Sequence, residues 1–326
     1  VIDHFKEEPE EDSSTWESVN DNIGGNYRQS MGAAGIGHKY FIDNNTYVKS
    51  ALAGTFTKNR MLVDYFNDEL TYTRISDMKG TNLNLSFNSY LNKKFSSRYT
   101  SRTGFQVTNL YYDLDYNISP SFPNASEPIE QFANSNGNTF LLSAFTNSTI
   151  RLNSAWTANI GITGQYFLLN RNRTIEPRLG MKWQMKPKHV IGIAYGKHSR
   201  HEKLDYYFVT TPETGNKPVN KQLDFAKAHH LVFSYDWSVS EHIHLKIEPY
   251  FQYLYDIPVA EDSSFSIINQ KDWYLNTALV NSGKGKNYGI DITLERYLAD
   301  GYYYLFTASL FESRYKGGDG VWHNTR

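Results

Sequence analysis

A two-residue rhythm of apolar and polar side chains constrains this chain most. In 229–239 the odd positions are His229, Leu231, Phe233, Tyr235, Trp237 and Val239, and the even ones His230, Val232, Ser234, Asp236 and Ser238. In 243–255 the odd positions Ile243, Leu245, Ile247, Pro249, Phe251, Tyr253 and Tyr255 alternate with His244, Lys246, Glu248 and Gln252. A strand turns successive side chains to opposite faces, so each segment is a strand with one apolar and one polar side. A helical period of 3.6 would mix charged and apolar residues on every face. The rhythm recurs at Leu83–Phe87, Trp156–Tyr166, Leu179–Met185 and Ile290–Leu294.

The pattern predicts twelve strands: 33–42, 46–57, 82–91, 98–114, 139–152, 155–169, 175–186, 189–198, 228–239, 243–255, 287–298 and 302–314. Most exceed the usual ~5–6 residues of soluble sheets and suffice for the ~9–11 residues of a tilted bilayer crossing. The connections sort by parity. Short turns fall at 43–45 (Asp-Asn-Asn), 92–97, 153–154, 187–188, 240–242 and 299–301 (Ala-Asp-Gly). Longer loops fall at 58–81, 115–138, 199–227 and 256–286, with 170–174 the one short exception. Long loops on one rim and short turns on the other are the habit of outer-membrane barrels. The expected fold class is therefore all-β, a transmembrane antiparallel β-barrel.

Composition agrees. The chain has 25 Tyr and 19 Phe, an aromatic share of 15% that favours strands. Tyrosines near strand ends (Tyr111-Tyr112, Tyr206-Tyr207, Tyr250 to Tyr255, Tyr302 to Tyr304) suit interfacial girdles. The mean hydropathy of −0.57 looks soluble, but a barrel strand is apolar only at every second residue. No run of 18 apolar residues marks a transmembrane helix. The absence of cysteine excludes thiolate sites, and a net charge of −1 gives no sign of a nucleic-acid partner. Val1-Ile2-Asp3-His4 lacks a signal peptide's basic and apolar regions, so the expectation is a mature start or an internal segment. Residues 1–32 show no strand pattern and are expected to form an extracellular loop, with 33–326 as strands and loops. The acidic run Glu7-Glu8-Pro9-Glu10-Glu11-Asp12 is read as solvated, since the spacing of a calcium-binding loop is absent.

Several blocks resemble the TonB-dependent receptors of Bacteroidetes, of the type with a carboxypeptidase-regulatory-like domain ahead of the plug. They are Glu176-Pro-Arg-Leu-Gly-Met-Lys-Trp183, Ile193-Ala-Tyr-Gly-Lys-His-Ser-Arg200 and Leu223-Asp-Phe-Ala-Lys-Ala-His-His-Leu-Val-Phe-Ser-Tyr-Asp-Trp-Ser238. Leu245-Lys-Ile-Glu-Pro-Tyr-Phe-Gln-Tyr-Leu-Tyr-Asp-Ile-Pro258, Gly285-Lys-Asn-Tyr-Gly-Ile-Asp-Ile-Thr-Leu-Glu-Arg-Tyr297 and Gly301-Tyr-Tyr-Tyr-Leu-Phe-Thr-Ala-Ser-Leu310 complete the set. The resemblance implies a barrel of about 22 strands, closed by an N-terminal plug that the inner-membrane TonB complex pulls. It implies import of a scarce nutrient (an iron chelate, cobalamin or glycan) in the bacterial outer membrane, with a surface lipoprotein as a further partner. The chain shows twelve predicted strands, no plug, no TonB box and no terminal aromatic strand. It is therefore expected to be an internal barrel segment.

Enzymatic chemistry finds little support. There is no His-Glu-x-x-His and no Gly-x-Ser-x-Gly. Ser282-Gly-Lys-Gly-Lys-Asn-Tyr-Gly289 lacks the phosphate-loop order and leads into a strand, so it reads as a loop ending. No cofactor, catalytic residue or metal ligand is expected. His198, His201, His229 and His230 gather near one rim, but adjacent His229 and His230 point to opposite faces. The candidate ligand contacts are Arg200, His201, Lys203, Tyr206, Tyr207 and Trp273, with Phe208 beside them. Aromatic rings there suit stacking on a sugar or chelator, and the cations suit an anionic chelate. The simpler reading is a loop packing on itself. The lumen charges Arg178, Asp236, Lys246 and Glu248 are expected to pair with each other or with a plug. The function read is active nutrient import; the rivals are a passive porin or structural barrel, and a soluble all-β binding protein.

Overall fold

The computed structural model describes residues 2–8, 16–18, 21–67, 69–211, 214–215, 217–270 and 274–325. Its strands are β1 (Ile2–Glu7), β2 (Ile23–Asp43), β3 (Thr46–Phe66), β4 (Tyr72–Lys94), β5 (Tyr99–Ile118), β6 (Glu130–Arg151) and β7 (Trp156–Phe167). They continue as β8 (Asn172–Lys186), β9 (His189–Arg200), β10 (Ala226–Ser238), β11 (Ile243–Val259), β12 (Val280–Ala299), β13 (Tyr302–Lys316) and β14 (Trp322–Asn324). All lie in one antiparallel sheet in chain order, each strand bonded to its sequence neighbours. Among the described residues the sheet is not closed. β1 covers only 25–30 of β2, and β14 only 314–316 of β13. The backbones of 31–43 and 302–312 therefore each have one edge without a strand partner.

Register carries the sequence rhythm across the whole wall. Ile36, Leu52, Phe87, Val107, Leu142 and Tyr166 stand opposite one another on β2 to β7. Six residues along β7 on the same face, Ile160 starts a second row through Leu179, Tyr195, Leu231, Phe251 and Tyr288 from β7 to β12. This outer face is a mainly apolar belt, and most of the residues named stand exposed; hydroxyl pairs interrupt it at Ser50–Ser89 and Thr103–Thr146. Trp156 stacks on Trp183 at 5.2 Å near the short-turn rim, where Tyr235, Trp237, Tyr302 and Tyr304 share the outer face. Toward the long-loop rim the same face carries Tyr111, Tyr195, His229, Tyr253 and Tyr255, with His229 stacked on Tyr255 at 5.0 Å. From Leu245 to Tyr253 the strand rises about 27 Å, or about 20 Å along a membrane normal for a tilt of about 40°. That matches the apolar band of a barrel between two aromatic girdles.

All twelve predicted strands are present, and two more flank them. Several run longer than their hydrophobic pattern. β3 and β4 extend to Phe66 and back from Tyr72, so the predicted loop 58–81 shrinks to 67–71. The predicted loop 115–138 shrinks to 119–129 in the same way. The expected loop at 1–32 is likewise corrected: Ile2–Glu7 forms β1, and β2 starts at Ile23. The reason is physical. Above the membrane both faces of a strand meet polar surroundings, so pairing persists while alternation fades. Residues 9–12 of the acidic run lie outside the described residues. The Asp300-Gly301 turn has φ of 55° and 85°, the left-handed pair that a two-residue hairpin needs.

Candidate functional site

The inner face is polar at mid-height and apolar toward the long-loop rim. Even positions of β5 aim Leu110, Tyr112, Leu114 and Tyr116 inward, and β7 adds Phe167. The described residues of the connection 201–225 fold over this surface rather than out into solvent. Its short helix α1 (Leu204–Tyr207) and the residues after it bury Leu204, Tyr206, Tyr207, Phe208, Val209, Leu223 and Phe225 against that wall. Ala260, Leu275 and Leu279 of the neighbouring connection pack into the same cluster. The result is a cap with a core of its own. Each large apolar side chain enclosed there contributes about 1.5–3 kcal/mol.

Polar side chains stitch the cap together. Asn220 is buried; its amide donates to Thr277 O at 2.9 Å, and its Oδ1 accepts from Leu279 N at 2.8 Å. The Asn170 amide donates to Leu223 O at 2.7 Å. Thr210 N donates to Phe132 O at 2.7 Å, tying the loop to β6. Lys227 reaches both Asp224 (2.6 Å) and Asp256 (2.8 Å).

The structure separates the predicted ligand contacts. Tyr207 is 0% exposed, and its hydroxyl accepts from Glu202 N at 3.1 Å, so its ring belongs to the cap core. Tyr206 is nearly enclosed and donates to Gln270 Oε1 at 2.8 Å. Neither sits in an interfacial girdle, which corrects that part of the expectation; a loop folded inward takes its aromatics with it. Phe208 stacks on Tyr112 at 4.5 Å. The His201 ring lies on Phe167 at 5.0 Å, and its Nδ1 donates to Glu202 O at 2.6 Å. Lys203 Nζ stands over the Tyr206 ring at 5.5 Å. Arg200 is largely exposed and lies 3.8 Å from the buried Glu202 carboxylate. Trp273 lies outside the described residues.

Lys203 and one side of Tyr206 border a cleft of about 270 Å³ between the cap and the strand extensions, with Asp205, Tyr116, Met61 and Met78. Burial pushes the Asp205 and Glu202 carboxyls up, each opposed by the charge of Lys203. Burial holds the His201 imidazole below its ordinary range, and Arg200 adds to that depression.

Below the cap, the inner wall holds a second hollow of about 440 Å³. Arg178, His198 and His230 line it with Asn147, Thr149 and Asn159. The His198 and His230 rings are 4.7 Å apart. Glu176, buried at the edge of this patch, accepts from Gln165 Nε2 (2.5 Å), Ser199 N (3.1 Å), the Ser199 hydroxyl and Arg178 Nη2 (3.0 Å). It fixes Arg178 beside the histidines. A Cβ at Gly196 would fall 2.7 Å from His198 Nε2, so glycine leaves room for that imidazole. His229 faces outward instead, bonded to the Tyr195 hydroxyl at 2.8 Å. Of the other lumen charges named from the sequence, Lys246 pairs with Glu248 at 2.7 Å, and Asp236 lies 3.5 Å from His244. Among the described residues no three metal-ligating side chains converge.

No protein-family model and no curated protein sequence matches the chain. Solved structures match its fold. The ferric-catecholate import receptor Fiu from K12 E. coli gives a TM-score of 0.60 at 11% identity, over 97% of this chain and 53% of that one. The pyoverdine outer membrane receptor FpvA from Pseudomonas aeruginosa PAO1 gives 0.60 at 10% identity, over 92% and 46%. The RagAB peptide importer in its 'closed-closed' state gives 0.59 at 12% identity, over 90% and 37%. The chain thus spans between 37% and 53% of the length of these proteins. The shared feature is the wall of an outer-membrane β-barrel.

Proposed function

We propose that this chain is part of the barrel wall of a TonB-dependent import receptor in the bacterial outer membrane. The reading is transport, not catalysis. One observation carries it: an apolar belt faces outward, a polar wall faces inward, and the connection 201–225 caps the inward side. Such a cap closes the outer vestibule in which a receptor holds its ligand before passage. The free edges of β2 and β13 support a larger barrel. Each unpaired backbone group costs several kcal/mol in hydrocarbon, so further strands must cover 31–43 and 302–312. A plug, the TonB complex and a surface lipoprotein are the partners this reading implies, and it excludes nucleic acid. The ligand is a scarce nutrient such as an iron chelate, cobalamin, a glycan or a peptide. It first meets Arg200 and Lys203 at the cap and then Arg178, His198 and His230 on the inner wall.

The test is uptake by cells making the intact receptor, with candidate nutrients supplied one at a time at limiting concentration. Growth on one nutrient is expected, lost when TonB is deleted and reduced at least tenfold by Arg178→Ala with His230→Ala. TonB-independent uptake, together with steady conductance through the purified barrel, would make it a porin.

A further inference from the structure

Two rows above the belt, the outer face changes character. Arg28, Arg60 and Lys79 stand directly opposite one another on β2, β3 and β4. They have the same parity as Ile36, Leu52 and Phe87, and so the same facing. Lys58 lies one row lower, between Ser30 and Thr81, and the next row down is Gly32, Phe56, Leu83 and Tyr111. Like charges directly opposite on paired strands destabilise a sheet. Asp77 lies 3.5 Å from Arg60, and Asp115 lies 3.5 Å from Lys79. Arg28 and Lys58 make no ion pair among the described residues. All four cations line one cleft of about 620 Å³, which Asp113 and Asp115 also border. Counting Asp77 beside Arg60 and Lys79, four cations stand against three carboxylates, a net charge of about +1 that rests on Arg28 and Lys58.

We infer that this cleft binds the phosphorylated headgroup of an outer-leaflet glycolipid whose acyl chains lie against the belt below. The inference rests on the membrane placement proposed above. Depth argues for this occupant: the cations begin one row above Tyr111, the level where an interfacial ring meets headgroups. A phosphate there relieves the repulsion along the Arg28–Arg60–Lys79 row, and arginine offers it a bidentate fork.

The experiment uses the intact polypeptide that carries this wall, extracted from its membrane in a mild detergent. Retention of a glucosamine-disaccharide bisphosphate glycolipid is measured by native mass spectrometry, against the same lipid dephosphorylated. At least tenfold stronger retention of the bisphosphate form is expected, with that preference lost in Lys58→Gln/Arg60→Gln/Lys79→Gln and kept in the lumen control Lys246→Gln. Equal retention of both lipids by the unaltered protein overturns the inference without any variant having to fold. So does inorganic phosphate binding as tightly as the bisphosphate lipid, which would mark a free-anion site. A protein that takes up detergent but shows no phosphate preference refutes the headgroup site alone. One that stays monomeric without detergent refutes the membrane placement as well.

Discussion

His201 and Glu202 are adjacent, yet burial acts on them in opposite directions. The neutral imidazole is favoured in the folded cap. The stability this gives is present above the unfolded histidine range of about 6.5 and is lost as pH falls through the lowered folded value. The protonated carboxyl of Glu202 is also favoured. Its contribution is present below the ordinary carboxylate range and is lost as pH rises through the raised folded value. Cleavage within 201–225 by an added protease should therefore accelerate as pH drops below about 6. His201→Phe should flatten that acid limb, and Glu202→Gln should slow cleavage at pH 8. A cleavage rate independent of pH in the unaltered protein would remove both roles. Little of this was legible beforehand. A Tyr-Tyr pair between strands reads as exposed, but its setting in Leu204-Asp-Tyr-Tyr-Phe-Val209 is too apolar for open solvent, and that density was the missed signal. Glu176 was also missed as an anchor, because in one dimension it is only a polar residue in an alternating strand.

At the scale of elements, the sequence revealed strands where lipid made them visible. β10 and β11 announce themselves through Leu231, Phe233, Leu245 and Ile247, each beside a polar neighbour. The outer halves of β3 and β4 do not, since Lys58, Arg60, Lys79 and Asp77 are polar on the side that is apolar lower down. Hydrophobic rhythm reports the surroundings of a strand, not its hydrogen bonds. The cap should behave as a unit separate from the wall. Phe225, 1% exposed in the cap cluster, is its best probe. Phe225→Ala should cost the cap about 3–5 kcal/mol. It should speed proteolysis of 201–225 while the barrel keeps its folded mobility in an unheated gel. Loss of the folded band would mean that cap and wall are one cooperative unit.

For the whole molecule, orientation of the two faces decides everything else. Phe233 points to the belt and Ser234 to the lumen, one residue apart. Phe233→Arg should cost about 2–4 kcal/mol and impair insertion into vesicles, whereas Ser234→Arg should insert normally. Equal damage from both would reverse or abolish the facing. Strand order has its own consequence. Among the described residues each strand bonds only to those before and after it in the chain, so within this wall only the free edges of β2 and β13 wait for another partner. Closure entropy is met one hairpin at a time, so the wall is suited to be laid down like a zip fastener from whichever end first finds an anchoring strand.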